Sequence, residues 1–186
     1  MPRHIRNALI VAVSLMLVVT GSFAAFSIHE YVYPASDQPT KSDVIVVLGP
    51  PEATRIAIAQ KMLDAGLSQN LLVSVPAWGV QSKDELPICS TQVKHTYTVT
   101  CFTPAPFTTR GEAHELQAMA AEHGWKSATV ITYTPHIDRA RIIVSRCFSG
   151  KLSMVEDRKP LSYAEWGYAF FYQTAGFVKL LLDQNC

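Results

Sequence analysis

The sequence predicts a three-layer α/β domain, with a mostly parallel sheet covered by helices on both faces, carried behind an N-terminal helix of membrane type. Two observations predict it. First, "DVIVVLG" (43–49), "NLLVSVP" (70–76) and "SATVITY" (127–133) are nearly unbroken apolar runs. That is the pattern of strands buried on both faces, and helix-patterned stretches alternate with them. Second, "NALIVAVSLMLVVTGSFAAFSI" carries no charge from Asn7 to Ile28, and about 20 apolar residues span the hydrocarbon core of a bilayer.

In chain order, residues 1–28 form an anchor or signal segment, 29–42 a linker and 43–186 the α/β domain. Arg3 and Arg6 precede the apolar stretch, whereas Glu30 and Asp37 follow it. The positive-inside rule then keeps the N-terminus in the cytoplasm and sends the domain outward. Ser22-Phe23-Ala24 also offers the small-x-small pattern of a signal peptidase site, so the segment reads as a retained anchor or a cleaved signal. Either reading exports the domain. "YVYPASDQPTKS" (31–42) reads as linker because Pro34 and Pro39 oppose helix and strand alike.

After the 43–49 strand, "PPEATRIAIAQKMLDAGL" is a helix. Pro51 suits its first turn, Glu52 complements its positive end and Gly66 closes it. The 70–76 strand leads into a polar, irregular excursion from Ala77 to Lys94, and "TYTVTCF" (96–102) is β-rich. "TRGEAHELQAMAAEHGW" (109–125) is helical and ended by Gly124. The 127–133 strand is followed by the helix "PHIDRARIIVSRCF" and the short strand "KLSMVE" (151–156). The closing "LSYAEWGYAFFYQTAGFVKLLLDQ" is a long aromatic helix interrupted by Gln173 and Lys179. It is expected to lie against the sheet rather than cross a membrane.

Charge and cysteines narrow the class. Two of the 16 basic residues precede the apolar segment, leaving 14 against 15 acidic residues in the exported part. No basic stripe of the kind nucleic acid requires is present. Cys89, Cys101, Cys147 and Cys186 form an even set, which suits an oxidising compartment. Three pairings are possible; the favoured one closes a hairpin-like loop with Cys89–Cys101 and ties the last residue to a helix end with Cys147–Cys186. No C-x-x-C spacing occurs, and His95, His114 and His123 are scattered, so no metal is expected. P-loop, nucleophile-elbow and GxGxxG patterns are also missing, so no cofactor is expected.

In open parallel sheets ligands bind beyond the carboxyl ends of the strands, at helix N-termini. The chemistry-bearing residues there are Gly49 to Arg55, Ser74 to Trp78, Thr108 to Glu112 and Thr134 to Arg141. His136 and Arg139 are three apart on a helix and share a face, while Arg141 lies within reach of Asp138 as a surface pair. Thr109-x-x-Glu112 reads as a capping box, with Glu112 also a candidate base. Gly111 is a poor first-turn residue unless another group must approach the backbone closely. Arg55, one turn into its helix, suits bidentate recognition of phosphate or carboxylate but also fits a solvated surface.

Together, "DVIVVLG…R…DAGLS…LLVS…TTRGEA…GW…VITYTPHIDRAR" resembles the YdcF/SanA/ElyC-like family of bacterial membrane-associated envelope proteins. The resemblance spans about residues 42 to 156 and extends to "AEWGYAFF"; "CFTPAPFTTRGEA" with "HIDRARIIVSRC" is similar to the actinobacterial form. It implies a Rossmann-like fold and a pocket at the strand ends built from Gly49, Arg55, Ser74, Thr109, Glu112, His136 and Arg139. It also implies a role in cell-envelope biogenesis on a phosphate-bearing ligand, with Glu112 and His136 moving protons in a hydrolase or transferase, or a non-catalytic binding or scaffold role. Pro50 and Pro51 replace the family's glycine-rich turn, which argues against that turn's amides wrapping a phosphate. Substrate and oligomeric state are not legible in the residues.

Overall fold

The computed structural model describes residues 2–90, 92 and 94–186. Five strands, β1 (Val44–Val47), β2 (Asn70–Ser74), β3 (Thr98–Phe102), β4 (Ser127–Tyr133) and β5 (Lys151–Asp157), form one parallel sheet in the order β3-β2-β1-β4-β5. The helices are α1 (Arg3–Ser27), α2 (Ala53–Asp64), α3 (Thr109–His123), α4 (Ile137–Cys147) and α5 (Tyr163–Leu182). This is the expected Rossmann-like three-layer α/β domain behind a long apolar helix.

Side-chain alternation along the central strand builds the layers. Val44, Val46 and Leu48 enter one core with Leu116 of α3 and Ala140 and Val144 of α4. Ile45 and Val47 enter the other, with Ile56, Ala59 and Met62 of α2. Both faces of β1 are therefore covered, which is why its sequence is apolar without alternation. From β1 the chain winds outward through β2 to β3, then returns through α3 to β4 on the other side. The carboxyl ends of β1 and β4 thus flank the topological switch point, where such sheets leave a crevice.

Several local expectations hold. Gly66 and Gly124 adopt left-handed backbone (φ 70° at each) after α2 and α3, the helix-closing conformation that favours glycine. Both favoured disulfides are present: Cys89–Cys101, with Cα atoms 5.8 Å apart, pins the 77–94 excursion to β3, and Cys147–Cys186 (4.9 Å) ties the last residue to the end of α4.

Others are corrected. The helix after β1 starts at Ala53, with Glu52 as its N-cap residue, so Pro51 lies outside its first turn. The N-terminal helix does not stop at residue 28: a π-helical turn continues it over Ile28–Val32. There Tyr31 is fully buried and bonds through its hydroxyl to Thr174 Oγ1 at 3.1 Å. Part of the expected linker is docked too, since Asp37 exchanges hydrogen bonds with both backbone groups of Met154 (2.7 Å each). Arg141 makes its surface ion pair with Asp37 (3.0 Å), not with Asp138, because the 35–37 segment crosses the start of α4. Finally, α5 does not cover a sheet face. α3 and α4 already fill that layer, so α5 packs mainly against α4, the Thr134–His136 turn and the π turn.

Candidate functional site

At the switch point a cavity of about 620 Å³ opens between the loop after β1, the start of α3, the turn after β4 and the flank of α5 that carries Tyr168, Ala169 and Tyr172. Of the residues expected there, Gly49, Arg55, Thr109, His136 and Arg139 line it. Ser74 and Glu112 do not; they stand directly behind Gly49.

Arg55 is only 4% exposed, so it is not the solvated helical arginine that sequence allows. Its Nη1 donates to the carbonyls of Pro50 (2.7 Å) and Leu48 (3.3 Å), and its Nε lies 3.6 Å from Asp157 Oδ2. The guanidinium carbon sits 5.4 Å from the centroid of the Tyr133 ring. Asp157 is itself buried and accepts from Thr54 Oγ1 at 2.6 Å. One guanidinium thus fastens the loop after β1 to the last residue of β5.

Arg139 is held differently. Its Nε donates to Gln173 Oε1 at 2.6 Å, and Gln173 Nε2 donates to the Tyr133 hydroxyl at 2.7 Å. The Tyr172 ring lies 5.4 Å from the guanidinium carbon. Gly176 makes room for the side chain: a Cβ there would stand 2.6 Å from Arg139 Cδ. Among the described residues no carboxylate pairs with Arg139. Burial lowers the proton affinity of both guanidinium groups, yet arginine keeps its charge at neutral pH.

His136 is 5% exposed. Its Nε2 lies 3.1 Å from Thr109 Oγ1, and its Nδ1 is buried without a partner. Burial first, then the charge of Arg139 and, less, that of Arg55, depresses its pKa well below the usual value of 6.5, against an opposing contribution from Gln173. The imidazole is therefore neutral, and the tautomer with a bare Nε2 lets Thr109 donate to it.

The capping box is a correction. Thr108, not Thr109, is the N-cap of α3: its hydroxyl accepts from Gly111 N–H at 3.2 Å. That one-residue offset frees Thr109 for His136 and moves Glu112 out of the box. Glu112 instead accepts from Gly49 N–H at 2.6 Å and is 5% exposed. Burial raises its pKa, against the opposing influence of the adjacent Ser74 hydroxyl, the Gly49 amide, Arg55 and Arg139. Ser74 Oγ has no formed hydrogen bond but lies in the same small space. Gly111 serves the close approach anticipated for it, since a Cβ there would collide with the Pro106 carbonyl.

Sequence reasoning missed Asp157, Tyr133 and Gln173. Asp157 and Tyr133 end β5 and β4, so the strand-end rule could have found them. Gln173, fully buried within an apolar helix, signalled itself as a polar residue needing a partner. His114 Nδ1 approaches Cys186 Sγ at 3.7 Å, but that sulfur is in a disulfide and is not a thiolate ligand. No family model matches the chain, and neither a curated protein nor a solved structure matches it.

Proposed function

We propose that the domain binds a phosphate-bearing ligand in the switch-point cavity, outside the cytoplasm and tethered by α1, as a YdcF-like protein of cell-envelope biogenesis. The observation that carries the reading is Arg139: a half-buried guanidinium in the cavity wall that donates to the neutral amide of Gln173 and, among the described residues, has no carboxylate partner. A buried charge demands a counter-charge, and a planar guanidinium suits a phosphoryl group. Arg55 adds a second cation to the cavity lining, although Asp157 offsets part of it. Two disulfides and an apolar helix long enough to cross a membrane support export and tethering.

In this reading Glu112 sets the position of the loop after β1 rather than moving protons at the ligand. Catalysis is the second reading, favoured by the Thr109–His136 pair. Thr109 Oγ would attack phosphorus as the P–O bond to the ligand's leaving oxygen breaks, its proton passing to His136 Nε2 and from there to that oxygen, a hydroxyl–imidazole arrangement suited to nucleophilic transfer.

Full-length protein in detergent, titrated with inorganic phosphate and pyrophosphate, tests the binding reading. Ligand at about 100 times Kd should stabilise the fold by roughly 2.7 kcal/mol, and Arg139→Met should abolish the shift. If neither anion stabilises the wild type, the cavity is not a phosphate site. His136→Gln separates the readings: binding without turnover indicates catalysis, whereas unchanged function indicates a binding module.

A further inference from the structure

The outward face of α5 carries no charge. At 100° per residue, Ala164, Tyr168, Phe171, Ala175, Val178 and Leu182 fall within about 40° of one line along the helix. Tyr168, Phe171, Val178 and Leu182 are exposed by 65, 77, 52 and 84%. The opposite face, with Ala169, Gln173 and Leu180, is buried. A helix on the water-facing side of a domain puts charge where α5 puts Phe and Leu, and a contiguous apolar patch of this kind marks a binding surface.

What covers it follows from its neighbour. α1 is apolar along its length, and none of its apolar stretch is buried in the protein. Its last turns meet α5 at mid-length: Phe26 stands edge-on to Phe177 at 5.7 Å, and Tyr31 lies 5.3 Å from Phe170. Phe170 and Phe177 lie about 120–140° round α5 from the outward line, and Leu181 and Val178, 76 and 52% exposed, occupy the arc between, so bare apolar surface runs from this junction to the outward face. The composition of α5 suits a lipid boundary, where tyrosine and tryptophan rings concentrate and a lysine beside the apolar face reaches the headgroups. Tyr163, Tyr168, Tyr172 and Lys179 fill those roles.

We infer that α5 lies in the interface of the bilayer that α1 crosses, with its outward face among the upper acyl chains. The inference rests on the tethering read from α1, and it has a consequence for the site. Ala164 and Tyr168 belong both to this face and to the cavity lining, so the cavity opens at headgroup level.

Full-length protein reconstituted into phosphatidylcholine–phosphatidylglycerol vesicles, with and without chains brominated at both shallow and deep positions, tests this with three added tryptophans. Leu15→Trp reports α1, Phe171→Trp reports the outward face of α5, and Ala57→Trp on the exposed side of α2, across the sheet, is the control. Brominated chains are expected to quench the emission added at 15 and 171 and to spare that at 57. Quenching at 15 with residue 171 behaving like residue 57 would overturn the inference while leaving the tether intact. If crosslinking then joins two chains through α5, the occupant is a second copy. An unquenched Leu15→Trp would remove the tether and, with it, the premise for α5.

Discussion

Gly176→Ala is the sharpest test of the site, because two established effects predict opposite signs. A Cβ at position 176 would lie 2.6 Å from Arg139 Cδ and 2.8 Å from Nε. Neither atom is a free chain end, since Nε is tied to Gln173 and the guanidinium rests beside the Tyr172 ring. Alanine must therefore push Arg139 out of its seat and break a charge-assisted hydrogen bond worth about 1.5–3 kcal/mol. Against that, replacing Gly by Ala inside a helix gains about 1 kcal/mol. The balance is a loss of about 0.5–2 kcal/mol, or a few degrees in Tm at about 2–4 °C per kcal/mol. Pyrophosphate affinity should fall about tenfold or more, at about 1.4 kcal/mol per decade. Thermal unfolding and calorimetric titration of the full chain read both quantities. A raised Tm with unchanged affinity would refute the account, because it would show that Arg139 does not occupy the space Gly176 leaves.

Further outcomes follow from the same geometry. Gly111→Ala drives a methyl group into the Pro106 carbonyl and should destabilise by about 3 kcal/mol in denaturant titration. Thr108→Ala should cost about 1 kcal/mol as a lost cap and leave the His136 imidazole NMR signals in place, whereas Thr109→Ala should shift them. His136 has a folded-state pKa well below its unfolded value of 6.5, so the unfolded chain binds the proton more tightly. Its contribution to stability is whole above about pH 6.5 and is lost as pH falls toward the depressed pKa. His136→Gln should flatten that part of a pH series of melting curves. Glu112 has the opposite sign: its raised pKa means stability declines as pH climbs from about 4.5 through the folded value, and Glu112→Gln should remove that decline.

The sheet was legible because a strand covered on both faces cannot alternate, and β1, β2 and β4 do not. The disulfides were legible through spacing and the position of Cys186 beyond the last helix. The site was legible as a set of strand ends, which brought Gly49, Arg55, Thr109, His136 and Arg139 to one cavity. Three things were not. The cap of α3 lies one residue earlier than the Thr109-x-x-Glu112 pattern suggests, because Thr108 offers an equivalent hydroxyl and local pattern cannot choose between neighbours. Arg55 was ambiguous because its partner Asp157 is remote in sequence. The placement of α5 was hidden because a helix apolar on nearly every side does not say which side meets protein.

The bond between Cys147 and Cys186 bears on how the wall of the cavity can move. Past Leu182 only three residues precede the cysteine that is welded to α4, and Asp183 is gripped by Arg110 and Arg146 on the way. A helix so fastened at its far end cannot swing clear as a lid does. On the proposed reading, a ligand reaches the arginines through a fixed opening whose shape is inherited from the oxidised state, and a reductant would be expected to turn a rigid partition into a loose flap.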